Sequence, residues 1–102
     1  MAKRAVVWTL TASKQRREIL KFWVEKNGST SYSERLIVLI RERVNIISKN
    51  PYSFRKTNFK DVRISSLGHF SLLYRITDKE LIIVGFWDNR QDPKKMLELL
   101  KS

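Results

Sequence analysis

The segment LIIVGFW at residues 81–87 carries no charge and no proline, and it is immediately followed by DNRQDP. Successive side chains of a strand point to opposite faces, so a strand that is apolar on both faces belongs inside a sheet rather than at its rim. A buried strand also holds its last side chains rigidly. Polar groups just beyond its end are therefore aimed rather than merely solvated, and the junction formed by Asp88, Asn89, Arg90, Gln91 and Asp92 is the first place to look for function.

The rest of the chain supplies the sheet's partners. Arg4 to Thr9 (RAVVWT) is β-branched and aromatic and predicts a first strand, after which Thr11 or Ser13 is expected to cap a helix. Ala12, Arg16, Ile19, Phe22 and Trp23 then recur at spacings that give a helix one buried stripe, and Asn27–Gly28 closes it. Ser31 and Glu34 have the spacing of a capping box for a second helix, with Leu36 or Ile37, Ile40, Val44 and Ile47 as its core face and Asn50–Pro51 as its stop. PYSFRKTNFK, residues 51–60, has no sustained period and reads as a cationic loop. Residues 61–67 and 70–76 alternate as strands about Gly68, and Asp78–Lys79 turns the chain into the apolar strand. Asp92 is expected to cap, and Pro93 to open, a final helix with Met96, Leu99 and Leu100 as its stripe. The order is β-α-α-β-β-β-α: an α+β domain in which a helix hairpin covers a small four-stranded sheet containing a three-stranded antiparallel meander.

Composition bounds what this fold can do. One hundred and two residues make one domain, residues 1–102, because two would each bury too little apolar surface. No apolar run approaches the roughly 18 residues of a membrane span, and the opening MAKRAVVWTLTASK is too strand-like for a secretory signal. There is no cysteine, which removes disulfides, thiolate metal sites and a thiol nucleophile and suits a cytoplasmic address. Twenty-one Lys and Arg against ten Asp and Glu give a net charge of +11. A field of that sign attracts polyanions: nucleic acid, a ribosomal surface or an acidic protein.

With these elements in place, YSERL at the start of the second helix, the strand FSLLYRI, the loop ending in Arg63 and the close LIIVGFWDNRQDPKKM together resemble the RelE/ParE superfamily of bacterial type II toxin–antitoxin modules. The resemblance covers nearly the whole chain. It implies a small basic toxin that inhibits growth, as in plasmid stabilization, and is held inactive by a cognate antitoxin. Members similar to ParE poison DNA gyrase, whereas members similar to RelE cut messenger RNA on the ribosome without metal. In the RelE pattern an arginine stands three residues before the tyrosine of the middle strand, and here that place holds Ser71. Arg90 matches the later arginine, but QDPKKMLELLKS supplies no terminal tyrosine. These departures favour the ParE-like reading, with the ribosome-dependent endoribonuclease as the alternative and a non-toxic basic nucleic-acid-binding domain as a weaker one.

The residues themselves offer a parallel chemistry. Metal-free cleavage of RNA needs a base, an acid and cations that stabilise the extra charge on phosphorus. His69, the only histidine, has an unperturbed pKa near neutrality, and Arg63 and Arg90 can each grip a phosphate with two parallel hydrogen bonds. Those three are the candidate catalytic residues. Arg55, Lys56, Lys60, Arg63, Arg90 and Lys94 are the candidates for binding a phosphate or a macromolecular target, and Arg63 and Arg90 are expected to meet in one anion-receptive hollow. Against this, Arg90 can pair with Asp88 or Asp92 and pin the junction, His69 can be a solvated turn residue, and Arg63 can lie on a solvated face. Gly85 within the apolar strand predicts a bulge or a close helix. No metal-spaced cluster or phosphate-cradling glycine motif occurs, so no cofactor, metal or small-molecule ligand is expected.

Overall fold

The computed structural model describes residues 4–59, 61–91 and 94–95. Strand β1 (Ala5–Trp8) leads into helix α1 (Leu10–Asn27), which turns at Gly28 into helix α2 (Ser31–Lys49). Four strands follow: β2 (Arg55–Lys56), β3 (Arg63–Leu67), β4 (Phe70–Ile76) and β5 (Glu80–Asp88). The architecture is the expected α+β one, with a fifth strand in the segment read as a loop. Arg55 and Lys56 become β2 because they sit opposite Ile64 and Arg63 and pair antiparallel with them. Two residues are too few to show a period in sequence.

The sheet order is β1-β5-β4-β3-β2. β5 thus lies inside the sheet, between β4, its antiparallel partner, and β1, which joins it in parallel with Ala5 opposite Glu80. The crossover through the helix hairpin makes that parallel pairing possible, since parallel neighbours cannot be joined by a tight turn. The inner face of the sheet gives Leu72, Tyr74, Leu81, Ile83 and Phe86 to a core completed by Ala12, Leu36, Ile40 and Ile47. Each such large side chain contributes roughly 1.5–3 kcal/mol on leaving water. On the outer face Val62, Leu73 and Trp87 form a second buried cluster with Phe59, Ile64 and Val84 packed against it. Both faces of β5 are covered, as its composition requires.

Local details depart from expectation by a residue or two. Thr9, not Thr11 or Ser13, caps α1: its extended backbone lets Oγ1 accept from the Ala12 N–H at 3.1 Å. In α2 the capping box does not form. Thr30 is already helical, and its hydroxyl donates to the Glu34 carboxylate at 3.2 Å instead. Leu36 takes the core position and Ile37 stays 41% exposed. Phe22, assigned to the buried stripe of α1, is half exposed, and Arg16 on that stripe stacks its guanidinium 4.1 Å from the centre of the Trp8 ring. Gly85 does both things a strand glycine predicts. The register slips between Leu73 and Tyr74 so that Val84 is extra, and a Cβ on Gly85 would stand 3.2 Å from Leu73 Cδ1 and 3.6 Å from Gln15 Oε1. Gln15 uses that oxygen to accept from the Phe86 N–H at 2.9 Å, fastening α1 to the bulge.

Among the described residues no helix is long and apolar enough to cross a membrane. Lys94 and Lys95 are helical, while Asp92, Pro93, Met96, Leu99 and Leu100 of the expected last helix lie outside the described residues.

Candidate functional site at the two ends of the sheet

At the mouth of β5 the chain turns by an Asx-type hydrogen bond, with Asp88 Oδ1 accepting from the Arg90 N–H at 3.0 Å. The Arg90 guanidinium then folds back on the same carboxylate in a bidentate pair, Nε to Oδ1 at 2.9 Å and NH2 to Oδ2 at 2.7 Å. Asn89 is held as well: its N–H donates to the His69 carbonyl at 2.7 Å, and its Oδ1 accepts from the buried Ser71 hydroxyl at 2.8 Å. The face of the Arg90 guanidinium lies 4.9 Å from the Trp23 ring and 6.0 Å from that of Phe70. Trp23 is itself tilted against Tyr32 at 5.0 Å and edge-on to Phe22 at 5.2 Å. Thus α1, α2, β4 and β5 all converge on one arginine.

Electrostatics follow from this geometry. The Arg90 hydrogen bond holds the Asp88 carboxyl below the ordinary carboxylate value against the opposing effect of its burial, with the nearby His69 a minor contributor. The same bond raises the already high pKa of Arg90. The carboxylate is therefore a poor proton acceptor near neutrality and the guanidinium a permanent cation whose charge is locally balanced. Beside the pair lies a cleft of about 630 Å³ between α1 and the end of β5, with Ile19, Phe22, Trp23 and Phe86 among its walls and Lys14 and Lys26 on its rim.

The other cationic group stands at the opposite end of the sheet. Arg63 faces Tyr74 across the ladder, and Tyr74 faces Ile83; Leu67 faces Phe70, and Phe70 faces Asp88. Arg63 and the mouth of β5 are therefore separated by roughly 15 Å along the strands and about 10 Å across two of them. The expectation that Arg63 and Arg90 meet in one hollow is corrected: strand order puts β4 between their strands, and register puts them at different heights. Arg63 instead donates to the carbonyls of Phe54 at 2.7 Å and Tyr52 at 3.2 Å, pinning the segment that follows α2. Tyr74 assists from beneath, donating its buried hydroxyl to the Pro51 carbonyl at 2.7 Å. Burial pushes the Tyr74 pKa up, and the charge of Arg63 opposes that shift in part.

Arg63 thus keeps its full charge because its partners are carbonyl oxygens rather than a carboxylate. Arg55 and Lys56 are exposed beside it on β2, with Lys56 directly opposite it on the ladder. The exposed Tyr52 ring has two guanidinium groups near it, that of Arg63 at 5.4 Å and that of Arg4 at 6.0 Å from its centre. Lys60 lies outside the described residues. The corner's polar cleft, about 450 Å³, includes Tyr52, Lys56, Asn58 and Arg63 among its lining, together with Asp61 in a left-handed conformation at φ 63°.

Of the sequence candidates, then, His69 and Arg90 are brought to one end and Arg55, Lys56 and Arg63 to the other. Lys94 is exposed, three residues beyond Gln91. His69 is an exposed turn residue that meets the site through its backbone carbonyl. In sequence Trp23 and Arg4 read only as parts of the first helix and strand, and Tyr52 only as part of a loop, none as a site residue. Their contacts with Arg90, Arg63, Arg4 and Thr77 span 11 to 73 positions, so only an aromatic next to a cationic segment, as in Tyr52, left any local trace.

Comparison with known proteins adds the family. No curated protein sequence matches the chain significantly. Among solved structures it resembles a chain of the chromosomal ParDE toxin–antitoxin system from P. aeruginosa, with a TM-score of 0.71 and 23% identity over 82% of this chain and 94% of that one, which establishes likeness of fold. Residues 6–93 match the model of the ParE toxin of the type II toxin–antitoxin system parDE. With that match spanning both helices and all of β2 to β5, the chain belongs to the ParE toxin family and is a type II toxin.

Proposed function

We propose that this toxin arrests growth by binding an essential macromolecular target, DNA gyrase, without itself breaking or making a covalent bond, and that a cognate antitoxin neutralises it in the cytoplasm. The observation that carries this reading is the engagement of both candidate arginines by the protein's own groups at separate places: Arg90 on Asp88, Arg63 on the Tyr52 and Phe54 carbonyls. Phosphoryl-transfer chemistry asks for cations and a proton carrier converging on one phosphorus. Two corners, one charge-balanced and one cationic, suit recognition of a large surface better. In this reading Arg55, Lys56 and Arg63, with Lys60 and Lys94, contact the target, and Arg90 orders the strand mouth.

A second reading keeps one observation in its favour. His69 stands near Asp88 and Arg90, so a titratable group and a guanidinium do share the β5 end. On that reading the protein is a ribosome-dependent, metal-free endoribonuclease with His69 moving the proton. Induction of the chain in cells without the antitoxin separates the two. Growth arrest with DNA damage, together with loss of supercoiling by purified gyrase, supports the first. Codon-positioned cuts in messenger RNA that disappear in His69→Ala support the second, and normal growth refutes both. On the first reading Arg63→Ala weakens arrest while His69→Ala leaves it intact.

A further inference from the structure

Among the described residues two aromatic side chains are left largely in water, Phe22 at 51% and Tyr52 at 65% exposure. Phe22 lines the apolar cleft beside α1, whereas Tyr52 lines the polar one at the β2–β3 corner. The backbone that carries Tyr52 is fixed by two consecutive carbonyls. That of Pro51 accepts from the buried Tyr74 hydroxyl at 2.7 Å, and that of Tyr52 itself accepts from Arg63 Nη1 at 3.2 Å. A ring kept in water forgoes the stabilisation of burial, and one carried on a rigid backbone is ready to pack against something flat.

Positive charge gathers near that ring. The guanidinium groups of Arg63 and Arg4 stand 5.4 and 6.0 Å from its centre, and both are anchored by carbonyl oxygens, Arg4 by donating Nε to Thr77 at 2.7 Å. Those bonds occupy Nη1 of Arg63 and Nε of Arg4. Among the described residues the remaining donors of both groups have no hydrogen-bond partner. Arg55 and Lys56 add two exposed cations on β2, and neither forms an ion pair among the described residues. Asn58 brings an amide to the cleft, where Asp61 is the one carboxylate among the described lining residues. A flat ring, cations near it and an amide beside it match an unpaired base with a phosphate on either side.

We propose that the Tyr52 corner binds single-stranded DNA, with one base stacked on the Tyr52 ring and the neighbouring phosphates held by Arg63, Arg4 and Lys56. Duplex DNA carries the same kind of charge but keeps its base faces stacked on one another, so the ring distinguishes strand from duplex. An acidic protein surface satisfies the cations and leaves the ring in water. The proposal rests on the reading that this corner contacts the target, and it names the DNA on which gyrase works, rather than the gyrase protein, as what the corner touches.

The test titrates the whole toxin into fluorescein-labelled oligothymidylate of about 12 nucleotides and follows anisotropy over a range of salt concentrations. Its other arms are the same strand paired with oligodeoxyadenylate, a labelled oligouridylate, and polyglutamate as competitor. The single strand should bind about tenfold more tightly than the duplex. Tyr52→Ala should weaken it by about tenfold without changing the salt dependence, and Tyr52→Trp should restore it, because stacking releases no counterions. Arg63→Met should instead lower the slope of log affinity against log salt by about 0.7, the value for one phosphate of a single strand. Should that variant misfold for want of its carbonyl bonds, Lys56→Met gives the same readout from a side chain that holds nothing in place. Equal binding of strand and duplex, or full affinity in Tyr52→Ala, would reduce the corner to general cation attraction and overturn the proposal. Polyglutamate competing as well as oligothymidylate at equal charge would assign the corner to an acidic protein, and oligouridylate bound about tenfold more tightly than oligothymidylate would assign it to RNA; either overturns it. Purified gyrase is assayed with the same variants. Gyrase inhibition by a toxin that fails the oligonucleotide tests refutes this site and leaves the gyrase reading intact, whereas the expected oligonucleotide binding with gyrase unaffected upholds the site and refutes the gyrase reading.

Discussion

Arg63 opens β3 and Arg90 lies two residues past the end of β5, and the two ends of the sheet use the same side chain differently. Arg90 meets a carboxylate, forms a bidentate pair and ends as a charge-balanced pin stacked on Trp23. Arg63 donates from Nη1 to two carbonyl oxygens, which bring no opposing charge, with Arg55 and Lys56 alongside. The lesson is that a hydrogen-bonded arginine is not thereby a neutralised one. The chemistry of the acceptor decides whether positive potential survives for a partner, and here it survives at the β2–β3 corner.

The comparison can be broken first at its supports. Tyr74 is fully buried under the Arg63 corner. Tyr74→Ala should cost about 3–5 kcal/mol by opening a cavity the size of a ring, whereas Tyr74→Phe should cost about 1–2 kcal/mol for the hydrogen bond to Pro51 alone. Urea unfolding of both variants checks this; equal losses would mean that the hydroxyl, not the ring, supports the corner. At the other end, Asp88→Ala removes three hydrogen bonds from Arg90 and should destabilise by about 1–3 kcal/mol, with loss of the ordered turn visible in the Asn89 and Arg90 amide resonances.

The two ends should also fail at opposite extremes of pH. Asp88 has a lowered folded pKa, so its contribution is complete above the unfolded value of about 3.9 and is lost as the pH falls through the lower folded value. Tyr74 has a raised folded pKa, so its contribution is complete below about 10 and is lost as the pH rises toward the folded value. Thermal melts across the pH range should therefore show Asp88→Asn flattening only the acid limb and Tyr74→Phe only the alkaline one. A change in the wrong limb would contradict the assignment. The smallest expected effect is on polyanion affinity. Arg63→Met should lower the salt needed to elute the protein from heparin, with Arg90→Met changing it less because Asp88 already balances that charge. The reverse order would show that the Arg90 pair opens in solution.

How much of this was legible in the chain depended on range. The place of β5 inside the sheet, the two helices, the meander about Gly68, the bulge or helix approach at Gly85 and the polycationic field were readable because period, turn chemistry and charge are properties of neighbours in sequence. Even there Thr9 took the capping role from Thr11 and Ser13, since a cap depends on which residue the preceding strand leaves extended. Of the candidate site, the Asp88–Arg90 pair was among the readings because its partners are two residues apart.

What the tertiary structure alone decided were the relations between distant segments: β1 parallel to β5, the short β2, Arg90 on Trp23, Tyr74 on Pro51, and the separation of Arg63 from Arg90. The physical reason is the same for each. Alternation tells which face a side chain takes, but the height at which two strands meet is set by the hydrogen-bond register and the bulge between them, and one intervening strand moves a pair of arginines from contact to opposite ends of a sheet.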